Sequence, residues 1–414
     1  MSTNKIPKIR FKGFVEEWEN RNFDTVFTGI SNNTLSRDNL NYQKGIGKNV
    51  HYGDVLIKFN NILDIEKEIV PFISDNKIVE KLKSSKLNNG DIIFADAAED
   101  EIVGKCVEIN NIKDNLVFSG LHTIAVRPKF EFAEKYLGYY LNSKPYHNQF
   151  LKLMQGTKVL SISKTAIKTT NLNYPSSKTE QTKIGSFFEN IDQLVNQHQT
   201  QHKKLTALKK AMLSKLFPKQ GKKIPEIRFK GFSEEWEVKK LGEVLSFKNG
   251  QGHEQIISES GKIIVINSKY ISSNGNTAKY CENIIVPLKN KDIVMVMSDI
   301  PNGKALAKCM LITNEKNYSL NQRICALSEQ NDDNIFLFYQ INRNNYFLSF
   351  DNGVSQTNLK LQEILDCPLF CPDKKEQEKI GNYFQNLDNL IANHSQQLEK
   401  LEVLKKACLA KMFV

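Results

Sequence analysis

No stretch of 18 consecutive apolar residues occurs in the 414-residue chain, which excludes a helical membrane span. The opening residues, MSTNKIPKIRFKGF, lack the apolar core that a secretory signal needs. Phosphate-cradling motifs are missing too. GIGKN at 45–49 fails the G-x4-G-K-[ST] spacing, and no G-x-G-x-x-G follows a strand pattern. Nor is there an Asn/Asp-Pro-Pro-aromatic stretch of the kind that holds an exocyclic amine for methyl transfer. Cysteine is sparse and odd in number. Of the seven, only Cys367 and Cys371 form a C-x3-C, with no second pair at zinc-like spacing. Free buried thiols in a reducing cytoplasm are therefore expected. The seven histidines (51, 122, 147, 198, 202, 253, 394) form no ligand set. His122, in SGLHTIAV, has no recognisable nucleophile or carboxylate paired with it. In PDKKEQEK at 372–379, Asp373 and Glu376 stand at a helix start, where they serve as caps rather than as a metal cluster. No catalytic residue, metal site or cofactor of the chain's own is expected.

Charge is present, and it is lopsided. Lys+Arg number 57 against Asp+Glu 46, a formal charge of +11, which favours a polyanionic partner such as nucleic acid. The chain also repeats itself. IPKIRFKGFVEEWE at 6–19 returns as IPEIRFKGFSEEWE at 224–237, an offset of 218. EQTKIGSFFENIDQLVNQHQTQHKKLTALKKAMLSKLF at 180–217 returns as EQEKIGNYFQNLDNLIANHSQQLEKLEVLKKACLAKMF at 376–413, an offset of 196. Two copies of one layout, each an RFKGF segment, a variable stretch and an E-Q segment, imply an internal duplication.

The E-Q segments are helical by periodicity. One seam reads Ile184, Ile191, His198, Leu205 and Met212; its counterpart reads Ile380, Leu387, His394, Leu401 and Cys408. Companions three residues on are Phe187, Leu194, Gln201 and Leu208, then Tyr383, Leu390, Gln397 and Leu404. The offset of 196 is a whole number of heptads, so both helices share one phase and should pair as a coiled coil. Histidine and glutamine at mid-seam fix register at some cost in stability.

Between them lie mixed α/β domains. NNGDIIFADAAEDEIVGKCVEI at 88–109 and KNKDIVMVMSDIPNGKALAKCMLI at 289–312 share a turn–strand–loop–strand rhythm. Strand-like LHTIAVRP at 121–128 parallels NQRICALS at 321–328, and helical patterns follow at 132–143 and 334–345.

In this order, repeated twice, the chain resembles the specificity subunit of type I restriction–modification systems. The residues that carry the likeness are WEVKKLGEV at 236–244, the Gly90-Asp91-Ile92-Ile93 strand start, GVSQTNLK at 353–360, and the entries YPSSKTEQTKIG and CPDKKEQEKIG to the long helices. The first half departs from it with WENRNFDTV, and with Val159 where the second half has Gln356. The resemblance implies an α/β (α+β) fold: two tandem-duplicated target recognition domains, separated by two long antiparallel coiled-coil helices with pseudo-two-fold symmetry. It implies the boundaries 1–178 and 218–374 for the recognition halves, and 179–217 and 375–414 for the helices. Each domain would read half of a bipartite, asymmetric site in double-stranded DNA. The helices would set the spacer and dock two methyltransferase subunits, which supply S-adenosylmethionine and adenine-N6 chemistry. Two restriction/translocase subunits would add ATP and magnesium. The chain itself would be non-catalytic, cytoplasmic and bacterial.

Base reading needs Arg or Lys for guanine and Asn or Gln for adenine, on loops that reach the major groove. Candidates in the first domain are Lys44, Lys48, Asn49, Lys158, Ser161, Ser163 and Lys164. In the second they are Asn249, Gln251, His253, Lys269, Asn321, Gln322, Arg323, Ser355, Gln356 and Asn358. Other readings stay open: the specificity chain of a related ATP-independent restriction system, or a coiled-coil scaffold that organises partners without reading DNA.

Overall fold

The computed structural model describes residues 5–219, 221–312, 317–329 and 333–414. It divides into two units, Met1–Gln199 with Gln396–Val414, and Thr200–Ser395. The borders fall inside the two long helices, Lys178–Lys215 and Lys374–Lys411. The first unit thus takes its last 19 residues from the far end of the chain.

Within the first unit, a five-stranded sheet runs in the order Phe27–Ile30, Thr123–Pro128, Ile92–Ala95, Cys106–Asn110, Ile62–Asp64. All its pairs are antiparallel except the last. Ile92–Ala95 is buried at every position, as expected for an apolar strand at the centre of a covered sheet. A four-stranded sheet follows the order Leu116–Ser119, Gly47–Val50, Phe72–Ile73, Leu40–Asn41. In the second unit the corresponding sheets are Leu245–Asn249, Ile324–Glu329, Ile293–Val296, Cys309–Leu311, and Tyr280–Cys281, Ile263–Ile266, Tyr318–Leu320. All seven cysteines are buried, and none is in a disulfide. No helix among the described residues is long and apolar enough to cross a membrane.

The twice-written RFKGF segment is a clamp. Arg10 makes two charge-assisted hydrogen bonds to Glu180, at 2.6 and 2.8 Å; Arg228 does the same to Glu376, both at 2.7 Å. Both glutamates are buried, so the fork of each arginine is what makes their charge tolerable. Phe11 meets Phe187 edge-on as Phe229 meets Tyr383. Lys183 lies over Phe14 as Lys379 lies over Phe232. The segment is anchored further by Ile9 N–H donating to the Lys411 carbonyl, and Ile227 N–H to that of Lys215, both at 3.0 Å. Trp18 packs on Phe413, and Trp236 on Phe217.

Each unit contains one segment of each long helix. In the first, Phe188 stacks on Phe413 and Asp192 binds Lys405. One index rises while the other falls, so the segments run antiparallel. The second unit repeats this with Phe384 on Phe217 and Asp388 with Lys209. Tyr139 donates to Asp192 at 2.9 Å and Tyr339 to Asp388 at 2.7 Å, completing a Tyr–Asp–Lys tie in each. Of the seam residues, Ile184, Ile191, Ile380 and Leu387 are buried, while His198, Leu205, His394 and Leu401 are half-buried. Their companions are found four residues on, not three as the sequence phase implies. Phe188 and Phe384 are fully buried, whereas Leu194, Leu208, Leu390 and Leu404 are 44, 42, 47 and 45% exposed. An alternating three–four spacing permits either phase, and here the buried phenylalanine rings occupy the four-residue step.

Candidate nucleic-acid interface

The second unit gathers most of its candidates around one turn. The chain leaves the strand Tyr318–Leu320, turns through Asn321, Gln322 and Arg323, and enters Ile324–Glu329. Asn321 N–H donates to the Ile266 carbonyl at 3.0 Å, which brings up the helix carrying Lys269. Gly250 N–H reaches the Ile324 carbonyl at 3.0 Å and Gln251 N–H that of Leu320 at 3.1 Å, drawing in Asn249 and Gln251. Gln322 is held by Glu254. Met297 N–H donates to the Arg323 carbonyl at 2.9 Å, tying the turn to the ribbon Ser298–Asp299 with Thr357–Asn358. On that ribbon Gln356 donates to Ser298 at 2.7 Å, beside exposed Ser355 and Asn358.

His253 is turned inward. Its Nδ1–H donates to the Gln251 carbonyl at 2.7 Å, which leaves Nε2 to accept from the Ser319 hydroxyl at 2.6 Å. The Ser319 oxygen in turn accepts from Ile285 and Val286 N–H. A cleft of about 300 Å³ opens there, lined by His253, Glu254, Asn267, Lys279 and Asn321 among others.

The first unit builds a smaller version. Asp96 N–H donates to the His122 carbonyl at 3.1 Å, and Ile162 N–H to the Asp96 carbonyl at 2.9 Å. The His122 turn therefore adjoins the ribbon Ala97–Ala98 with Leu160–Ser161. Exposed Ser161, Ser163 and Lys164 follow, and Lys164 donates to Asn32 at 2.9 Å. Ser163 also caps the short helix Lys164–Ile167. The His122 Nδ1 lies 3.2 Å from Asp96, and Tyr52 meets the imidazole edge-on. Burial pushes the Asp96 carboxyl up, against the pull of His122.

Other first-unit candidates lie elsewhere. Asn49 is fully buried and accepts from Asn33 at 2.7 Å. Lys48 donates to the Ile65 carbonyl at 2.8 Å. Lys44 is exposed in the turn after Leu40–Asn41, and Lys158 is exposed on the loop before Leu160–Ser161. Residues outside the candidate set but at this turn are His122, Asp96, Asn32 and Tyr52. Only a correct pairing of the two repeats would have found His122. Among the described residues, no group of three or more His, Cys, Asp or Glu side chains is placed to hold a metal.

Two mixed α/β units built on one plan, each presenting a polar turn beside a two-stranded ribbon, define a tandem-duplicated recognition protein. The chain belongs to the family described as the type I restriction modification DNA specificity domain, which it matches over residues 15–207 and 233–403. It is 23% identical over 409 residues to a Methanocaldococcus jannaschii protein named as the type I restriction enzyme MjaX specificity subunit, covering 94% of this chain and 91% of that one. A second relative from that organism, the type I restriction enzyme MjaVIII specificity subunit, is 26% identical over 190 residues, 44% of this chain and 42% of that one. In fold it is similar to the S subunit of a type I restriction–modification system from M. genitalium, with a TM-score of 0.64, 17% identity and 99% of both chains covered.

Proposed function

We propose that this chain is the DNA-specificity subunit of a type I restriction–modification complex, in which each unit reads one half of a bipartite, asymmetric site. One observation carries this reading. The clamp, the helix tie and the turn-on-ribbon platform recur in both units, while the side chains on the platform differ: His122, Ser161 and Lys164 in one, Arg323, Gln356 and Asn358 in the other. Equivalent scaffold elements with unlike hydrogen-bonding tips suit two readers of two sequences. The formal charge of +11 suits a polyanionic partner. Exposed Gln251, Gln322, Gln356, Asn358, Arg323, Ser161 and Lys164 face bases in this reading; Lys44, Lys158 and Lys269 serve phosphate.

Exposed leucines on the helix segments of each unit, Leu194 and Leu404 in the first and Leu208 and Leu390 in the second, serve in this reading to dock methyltransferase subunits. Those subunits bring S-adenosylmethionine, restriction subunits bring ATP and magnesium, and the chain itself performs no chemistry. The helices, not the readers, fix the gap between half-sites. One heptad added to both would lengthen it by up to about 10 Å, or about 3 bp.

The test is single-molecule methylation mapping of host DNA with and without this gene, the methyltransferase gene left intact. Loss of one bipartite N6-methyladenine motif is the expected result. An unchanged map, although the subunits co-purify, would overturn the reading.

A further inference from the structure

Arginine is scarce in this chain, and almost all of it is committed. Of seven arginines, Arg10 and Arg228 clamp buried glutamates, Arg21 binds Glu19, Arg37 binds Asp54, Arg127 binds Asp91, and Arg343 donates to the Leu306 carbonyl. Among the described residues, only the Arg323 guanidinium has no hydrogen bond or ion pair. It is exposed, at the turn where the second unit gathers its polar side chains.

Its backbone is also unusual. Arg323 has φ +63°, a left-handed conformation that residues other than Gly, Asn and Asp adopt rarely. The hydrogen-bond pattern identifies its equivalent in the first unit. Asp96 N–H to the His122 carbonyl matches Met297 N–H to the Arg323 carbonyl, and His122 has φ +53°. The units share two further left-handed positions by the same test, Gly90 with Lys291 and Gly104 with Ala307. At each of those, the first unit relieves the conformation with glycine. At the third, neither unit does. Both retain a large side chain with N–H donors where glycine would fit most easily. In the first unit the ring is further oriented, by Asp96 on one ring nitrogen and Tyr52 against the ring.

We infer that His122 and Arg323 occupy one and the same readout position in the two readers, and set which base pair each half-site requires there. This rests on the specificity-subunit reading above. An uncommitted guanidinium is suited to the O6 and N7 acceptors of guanine, so Arg323 demands a guanine at one place in its half-site. The imidazole of His122, its Nδ1 turned to Asp96, presents Nε2 to a base edge at the corresponding place in the other half-site.

The experiment uses the chain assembled with its methyltransferase subunits, and duplexes carrying the mapped motif with each base pair replaced in turn. Binding is measured for the natural chain and for R323A, R323K and H122A, with thermal unfolding of each complex as the control for folding. For the natural complex, replacing the guanine assigned to Arg323 should cost about 10- to 100-fold in Kd. For R323A that penalty should shrink to about 3-fold or less at that position alone, while all other positions keep theirs. H122A should do the same at one position of the opposite half-site. R323K keeps the charge but loses the fork, so it should retain much of the affinity and lose the guanine preference. It decides the matter if R323A binds no duplex measurably. A uniform loss across all duplexes, or a full guanine penalty in R323K, would overturn the assignment by making Arg323 a phosphate contact or a bystander. A natural complex with no sequence preference would overturn the specificity reading itself, and this inference with it.

Discussion

The two readers share what holds them together and differ in what they show. Each has an arginine forked onto a buried glutamate, a tryptophan under a terminal phenylalanine, and a Tyr–Asp–Lys tie across antiparallel helix segments. The details are not equal, however. Trp236 Nε1 donates to Glu376 at 3.2 Å, whereas among the described residues no acceptor meets Trp18 Nε1. Glu108 is buried at the strand position where the second reader has Leu311, each facing an isoleucine across the ladder. Asp91 takes the fork of Arg127 as well as the Asn88 N–H, while its equivalent Asp292 takes the Ser328 hydroxyl as well as the Lys289 N–H. The lesson is that a duplicated scaffold tolerates drift in its buried polar groups, provided the anchoring ion pairs survive.

The largest break in that comparison comes from the clamps. Arg10→Ala leaves Glu180 charged and buried without a partner, and should cost about 3–5 kcal/mol. Arg228→Ala should cost about 1 kcal/mol less, because Trp236 still donates to Glu376. Urea unfolding of the two variants checks this; equal losses would show that the indole bond adds nothing. A smaller asymmetry is expected in the helix ties. Lys405 and Asp192 side chains are 22 and 15% exposed, against 25 and 37% for Lys209 and Asp388. Lys405→Met should therefore cost about 1–2 kcal/mol and Lys209→Met about 1 kcal/mol or less. The order of their thermal midpoints decides the point.

Backbone strain sharpens the contrast further. A Cβ on Gly104 would come within 2.4 Å of the buried Phe150 ring, at φ +84°. Gly104→Ala should cost about 2 kcal/mol, while Ala307→Gly at the equivalent position should stabilise by up to about 1 kcal/mol. Both are read from denaturant midpoints.

The last contrast is a pH slope. Burial pushes the Glu108 carboxyl up from 4.5 to about 7, although Lys135 and Gly138 N–H both donate to it. The folded chain then keeps a proton that the unfolded chain has shed, so stability should fall as pH rises from 4.5 to about 7. Glu108→Gln should abolish that slope. A slope that survives in the variant would mean that a group other than Glu108 carries it.

Much of this was legible in the sequence, and the exceptions have physical causes. Long repeats and heptad spacing announce the duplication and the paired helices, because they reflect local periodicity. The seam's second row did not follow, since spacings of three and four alternate and only the stacking of Phe188 and Phe384 on their partners settles the phase. Pairing LHTIAVRP with NQRICALS end to end sets His122 opposite Gln322. The hydrogen bonds shift that by one residue, to Arg323. Nor does residue type report burial: Asn49 and His253 have the chemistry of base readers, yet Asn33 and Ser319 hold them inside. Six arginines are spent on partners far away in sequence or on carbonyls and neighbours, which no local pattern reveals.

The exchange of helix ends gives the two readers different histories on the ribosome. The second is one unbroken stretch, Thr200–Ser395, and all its parts have been synthesised before the last 19 residues appear. The first is translated earlier but stays open. Cys408, Met412 and Phe413 belong to its core, and Phe413 alone touches Trp18, Tyr136, Tyr140 and Phe188. The half made first is therefore the half that closes last, and a nascent chain stalled near its end would expose the aromatic interior of its N-terminal reader.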